Sequence, residues 1–146
     1  MSRRAGFTLV ETLIVVVVIG LVSLIAMPKF QHALAHSNVL SAKAKVVSLY
    51  ARARASAIES GRTAAVRANG NSLVVTASPR RLPGAGTIDT VVAPTNIRTQ
   101  YGVGLSGLDS VRVGPTGIGL GAAQIVLTKS SYADTVFINQ FGRVRK

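Results

Sequence analysis

The feature that most constrains this chain lies near its start. Residues 7–27, FTLVETLIVVVVIGLVSLIAM, form an apolar run broken by one charge, Glu11. A helix of about 21 residues at ~1.5 Å per residue spans roughly 32 Å, close to the ~30 Å hydrocarbon core of a bilayer. Val15 to Ile19 is β-branched throughout, which suits a helix in water poorly. In lipid, unpaired backbone groups cost so much that a single span is helical regardless. Arg3 and Arg4 precede the run and assign that end to the cytoplasmic side. Everything after Pro28 then lies outside.

Two plain readings of the run fall short. A cleaved secretory signal has a shorter apolar region followed by a small-residue cut site. Here the run is too long, and Ala26 is followed by Met27, Pro28 and Lys29. An ordinary anchor fits the length but leaves Glu11 unexplained. An ionised group at mid-membrane costs at least ~2.5 kcal/mol and is usually paired. No cation lies within the run. A cut between Gly6 and Phe7 would create one: the new amino group at Phe7, four residues before Glu11. In an assembly, that terminus can meet Glu11 of a neighbouring subunit.

Gly6-Phe7-Thr8-Leu9-Val10-Glu11, after a short basic leader and before a long apolar helix, resembles the type III signal of type IV pilins and pseudopilins. Gly stands before the cut, Phe after it, Glu fifth in the mature chain, and Pro28 where pilins often carry a proline. The resemblance implies that a prepilin peptidase removes residues 1–6 and N-methylates Phe7. It also implies a stay in the inner membrane, among lipid, before extraction into a helical filament with other pilins or pseudopilins.

From Lys29 to Ser60 the chain is rich in Ala, Leu, Lys and Arg and has no Gly or Pro. Leu40, Val46, Val47, Tyr50, Ala53, Ala57 and Ile58 recur as a helical stripe, and Gly61 is a C-cap stop. A helix from Phe7 to Ser60 would be about 80 Å long at ~1.5 Å per residue. After Arg62, glycine, threonine and valine dominate. Thr63–Ala68 and Ser72–Ala77 around Asn69-Gly70-Asn71 read as a hairpin. Pro79–Gly86, with Arg80 and Arg81, reads as a basic loop. Further strands are predicted at Thr87–Val92, Ile97–Tyr101, Ser110–Val113, Ala123–Thr128 and Thr135–Phe141. Gly114-Pro115-Thr116-Gly117-Ile118-Gly119 is a hairpin connection; it lacks the P-loop pattern and no helix follows.

The expected fold class is therefore α+β: a long N-terminal helix, its first half transmembrane, packed on antiparallel sheet. The parts are a leader (1–6), a membrane and filament-core helix (7–27), an amphipathic helix (28–61) and a β-rich domain (62–146). The Ala/Arg-rich helix end Ala51–Ile58, the hairpin after it and the ending Phe141-Gly142-Arg143-Val144-Arg145 are similar to the GspH/FimT branch of the pilin superfamily. The lack of cysteine agrees with that branch.

Catalysis is poorly supplied. Five acidic residues are scattered over the chain, with no paired carboxylates and no Ser-His-Asp pattern, so a non-enzymatic role without a cofactor is expected. His32 and His36 share a helix face, but no third metal ligand is near them in sequence. The absence of cysteine excludes thiolate sites and disulfides.

The charge is the remaining signal. Seventeen Lys and Arg against five Asp and Glu give a formal +12, and losing Arg3 and Arg4 with the leader lowers it only to +10. Such an excess favours polyanions. At the tail, Arg143 and Arg145 alternate around Val144, so on a strand both guanidiniums share one face while Val144 buries. Guanidinium forks suit phosphate oxygens. Lys146 adds a third charge, and Gly142 reads as a flexible joint adapting the tail to a curved phosphate backbone. Gly142-Arg143-Val144-Arg145 is similar to the G-R-x-R ending associated with DNA capture in FimT-like minor pilins. The resemblance therefore implies a DNA partner in natural transformation. A solvated tail, or ion pairs with a neighbouring subunit, are the rival roles. Without a recognition helix, phosphate contacts would dominate, and three tail cations would add roughly −2.7 to the slope of log K against log salt.

The sequence thus predicts a minor type IV pilin that starts as a single-pass inner-membrane protein with a periplasmic domain. It then moves to a pilus at the cell surface. The alternative is a minor pseudopilin of a type II secretion system. A third reading, an anchored periplasmic module that never assembles, leaves Glu11 without purpose.

Overall fold

The computed structural model describes residues 8–78, 88–107 and 110–145. Gly6, Phe7, the Pro79–Gly86 loop with Arg80 and Arg81, Thr87 and Lys146 lie outside the described residues. The chain divides into two compact units, Met1–Leu34 and Ala35–Lys146.

Helix α1 spans Leu9–Ser60, with Pro28 inside it. Its start carries the sequence of a capping box, Thr8-Leu9-Val10-Glu11. The Thr8 hydroxyl accepts from the Glu11 N–H at 3.2 Å, satisfying one of the orphan donors of the first turn. In the first unit, every described residue of α1 is exposed. An 18-residue window there has a mean hydropathy of 2.8. A helix apolar on all sides has no single face to bury in protein, which is the pattern of a membrane span.

The helix ends in a Schellman motif. Gly61 takes φ 62°. Its N–H donates to Ile58 O at 3.3 Å, and the Arg62 N–H reaches back to Ala57 O at 3.2 Å, which satisfies two of the helix's last open carbonyls.

In the second unit α1 buries Ala35, Val39, Ala42, Val46, Leu49, Ala53 and Ala57, spaced by three- and four-residue steps that keep them on one face. Of the predicted stripe, Val46, Tyr50, Ala53 and Ala57 are buried and Val47 is half-buried, while its two end members are exposed. Leu40 is 44% exposed and Ile58 54% exposed. Ala35 and Ala42 join Ala53 and Ala57 on the buried face, where small side chains let the sheets approach the helix closely.

Among the described residues, two four-stranded antiparallel sheets complete the unit. The first has the order β3-β2-β1-β5, from β1 (Ala64–Asn69), β2 (Ser72–Ala77), β3 (Asp89–Asn96) and β5 (Ser110–Val113). The β1–β2 hairpin turns at Gly70, whose φ is 58°. Strand β3 runs through Pro94, which an edge strand tolerates because one row of its N–H groups needs no ladder partner. The second sheet has the order β4-β6-β7-β8, from β4 (Gly104–Ser106), β6 (Ala123–Lys129), β7 (Tyr132–Ile138) and β8 (Val144–Arg145). Leu73, Val75 and Val113 of the first sheet join Ile125, Leu127 and Val136 of the second in one core with Val46 and Leu49 of the helix.

Ile97–Tyr101 forms a short helix, α2, and not the predicted strand. The Asn96 side chain caps it by accepting from the Thr99 N–H at 3.0 Å. Gly102, at φ 65°, closes it by donating to Arg98 O. The two cap residues outweigh the strand propensity of Ile97, Thr99 and Tyr101. The predicted last strand is also displaced towards the N-terminus: Asn139–Gly142 is a turn, and β8 follows it.

Candidate nucleic-acid interface

The tail folds back on β7 as a hairpin organised by one side chain. The Asn139 N–H donates to Arg143 O at 3.0 Å, and Asn139 O accepts from the Gly142 N–H at 2.9 Å. The Asn139 Oδ1 then accepts from the N–H of Phe141 at 3.1 Å and of Arg143 at 2.8 Å. A three-residue loop with its last position left-handed is a standard hairpin connection, and Gly142 supplies that position at φ 79°. Beyond it, Val144 pairs with Ile138 and Arg145 with Phe137.

Gly142 is therefore a fixed joint and not a flexible one. It is buried, and a Cβ there would stand 2.6 Å from Tyr50 Oη and 3.1 Å from Gly119 N. The approach is reciprocal, since a Cβ on Gly119 would lie 2.7 Å from Gly142 N. Tyr50 is a core residue of α1, and burial pushes its phenol pKa up. The glycine-rich loop after β5 thus works as packing material. Its Gly114 N–H donates to Ile118 O and its Leu120 N–H to Arg112 O, which folds the loop back on β5 and seats Gly119 against the tail turn.

Held this way, Arg143 and Arg145 are exposed and Val144 is half-buried against the core. Arg145 lies in β8 and Arg143 immediately precedes that strand, and the two exposed residues flank the half-buried Val144 as the alternation predicts. They line a groove of about 1260 Å³ together with Gln124, Thr135, Phe137 and Asn139. Lys146, the third predicted contact, lies outside the described residues, as do Gly6 and Phe7 of the predicted processing site. Glu11 is exposed in the first turn of α1.

Two features of this region are not apparent from composition. The first is Phe137, an aromatic ring 48% exposed directly across from Arg145. Period-two alternation with the buried Val136 and Ile138 is the signal that places it outward. The second is a contact between α1 and β7. Lys43 Nζ lies 2.5 Å from Asp134 Oδ2, with side-chain exposures of 11% and 23%. His36 packs edge-on against Tyr132, ring centroids 4.7 Å apart.

The Lys43 hydrogen bond is the main cause holding the Asp134 carboxyl below its ordinary range; burial opposes it and the Thr135 N–H assists it. A carboxylate with a depressed folded pKa contributes stability that is present above its unfolded pKa, about 3.9, and lost as pH falls through the folded value. Thermal unfolding is therefore expected to show a loss of stability below about pH 4. Asp134→Asn should shrink that acid-dependent part while costing about 1–3 kcal/mol at pH 7.

Residues 1–27 match the family of the prokaryotic N-terminal methylation motif. Among solved structures, the chain is similar to the type IV minor pilin FimU of Pseudomonas aeruginosa in two crystal forms. In space group P21 the TM-score is 0.57 at 15% identity, covering 75% of this chain and 88% of that one. In space group P65 it is 0.53 at 15% identity, covering 73% and 90%. No curated protein matches the chain in sequence. At such identity the likeness establishes a shared fold: a long N-terminal helix packed on antiparallel sheets.

Proposed function

We propose that this chain, which shares the fold of a type IV minor pilin and carries an N-terminal methylation motif, is a minor type IV pilus subunit that binds DNA through its tail for uptake. A prepilin peptidase cuts it between Gly6 and Phe7 and methylates Phe7. The apolar half of α1 anchors it in the inner membrane, with residues 35–146 in the periplasm. Assembly then transfers it to a pilus, where Glu11 pairs with the Phe7 amino group of a neighbouring pilin.

The observation that carries the DNA reading is the rigid presentation of Arg143 and Arg145. A solvated tail needs no fixed geometry. This one is held by four hydrogen bonds around Asn139 and by a glycine in contact distance of the core. Both arginines face one groove, and the mature chain keeps its formal +10. Phosphate contacts of this kind position without reading sequence.

The test is a mobility-shift titration of the full chain in non-ionic detergent micelles against duplex DNA at two salt concentrations. Two phosphate contacts contribute about −1.8 to the slope of log K against log salt. Arg143→Gln/Arg145→Gln should weaken binding roughly 60-fold at 0.1 M salt and flatten the slope by that amount. Equal binding by the double variant would refute the tail site. No binding by the wild-type chain at low salt would favour a type II secretion role instead.

A further inference from the structure

The groove beside the tail holds more than two cations. Phe137 stands on the outer face of the second sheet, opposite Arg145 in the β7–β8 ladder and opposite Gln124 in the β6–β7 ladder. Opposed residues on one face of an antiparallel pair have Cβ atoms about 4.5–5.5 Å apart. The ring is thus flanked by a guanidinium on one side and an amide on the other, all three lining the same groove. Phe137 is 48% exposed in a sheet whose opposite face supplies the core, and among the described residues the ring is not part of that core. The carboxylate at the groove's edge, Asp134, is engaged by Lys43 and so presents little net repulsion to an anion.

We infer that this face is a single-strand nucleic-acid groove in which Phe137 stacks on one base while Arg143 and Arg145 hold the flanking phosphates. The inference rests on the DNA-binding reading above and names the form of DNA that the site prefers. A duplex hides its base faces and offers only its phosphates. A single strand offers both phosphates and π-faces, and it is the cation–aromatic combination that recognises the latter. Gln124 supplies an amide that can donate and accept at a base edge, without fixing which base.

Three variants, two DNA probes and two polyanion controls separate the parts. The probes are an oligo-dT single strand and a duplex of the same length, titrated against the full chain in detergent micelles. Phe137→Leu should lower oligo-dT affinity about tenfold, the effect of one lost stack, and leave duplex affinity within about twofold of wild type. Its salt slope should be unchanged, because stacking releases no counterions. Arg143→Gln/Arg145→Gln should weaken both probes and flatten both slopes. Phe137→Trp should retain oligo-dT binding, and since the chain has no other tryptophan, its fluorescence should be quenched by oligo-dT but not by inorganic polyphosphate. Phe137→Leu with unchanged oligo-dT affinity, or with an equal loss on duplex, would overturn the stacking role and leave the arginine site standing. Tighter binding of polyglutamate than of oligo-dT would overturn it too, by assigning the groove to an acidic peptide. A wild-type chain that binds neither DNA probe would overturn both readings.

Discussion

Replacing Gly142 with valine should unseat the tail hairpin and destabilise the domain by about 3 kcal/mol or more. Two costs combine. A β-branched residue is forced to φ 79°, where Cβ meets the backbone. The same Cβ would stand 2.6 Å from Tyr50 Oη and 3.1 Å from Gly119 N. Neither neighbour yields cheaply: Tyr50 is packed in the core, and Gly119 is backbone bridged to Val113. The measurable effect is a fall in Tm of about 10 °C. DNA affinity should fall with it although both arginines remain, because their shared groove is lost. A Tm within about 2 °C of wild type would mean that the tail does not depend on this contact.

Glu11→Gln should mature normally and fail to enter filaments. The substitution separates two roles for this residue. Glu11 closes the Thr8-Leu9-Val10-Glu11 capping sequence, and its N–H is held by the Thr8 hydroxyl. Glutamine serves a capping box as well as glutamate does, so helix initiation survives. The charge does not, and with it goes the proposed pairing with the Phe7 amino group of a neighbour. An unpaired ammonium in the low-dielectric filament core is then left behind, at a cost of about 3–5 kcal/mol. Quantitative immunoblotting of sheared fibres against membranes reads the outcome. Normal incorporation of Glu11→Gln would reduce Glu11 to a capping residue.

The parts of the fold that were legible in the sequence are those marked by composition or by a turn residue. The apolar run at residues 7–27, the Gly61 stop and the β1–β2 hairpin around Gly70 each carry a local physical signal, and each appears in the structure where described. The misread elements were decided by local contacts that the pattern does not encode. Ile97–Tyr101 has strand-like residues but is bracketed by Asn96 and Gly102, and the caps decided it. Leu40 and Ile58 are large and apolar, yet the alanines of α1 set which face the sheets could approach.

The site was legible to a similar depth. The alternation of Arg143, Val144 and Arg145 follows from strand geometry, and the structure bears it. The role of Gly142 was not readable, because its partners Tyr50 and Gly119 lie 92 and 23 positions earlier in the chain. The Lys43–Asp134 pair is separated by 91 positions and is invisible for the same reason. Phe137 was readable in principle, as the outward member of a strand whose neighbours on either side are buried.

In the proposed role the chain is a processed, assembling subunit. Mass spectrometry of the chain recovered from sheared fibres tests it most directly. The predicted result is a polypeptide lacking residues 1–6 and starting at N-methylated Phe7. A fibre-associated chain still starting at Met1, or a chain never found in fibres, would contradict it.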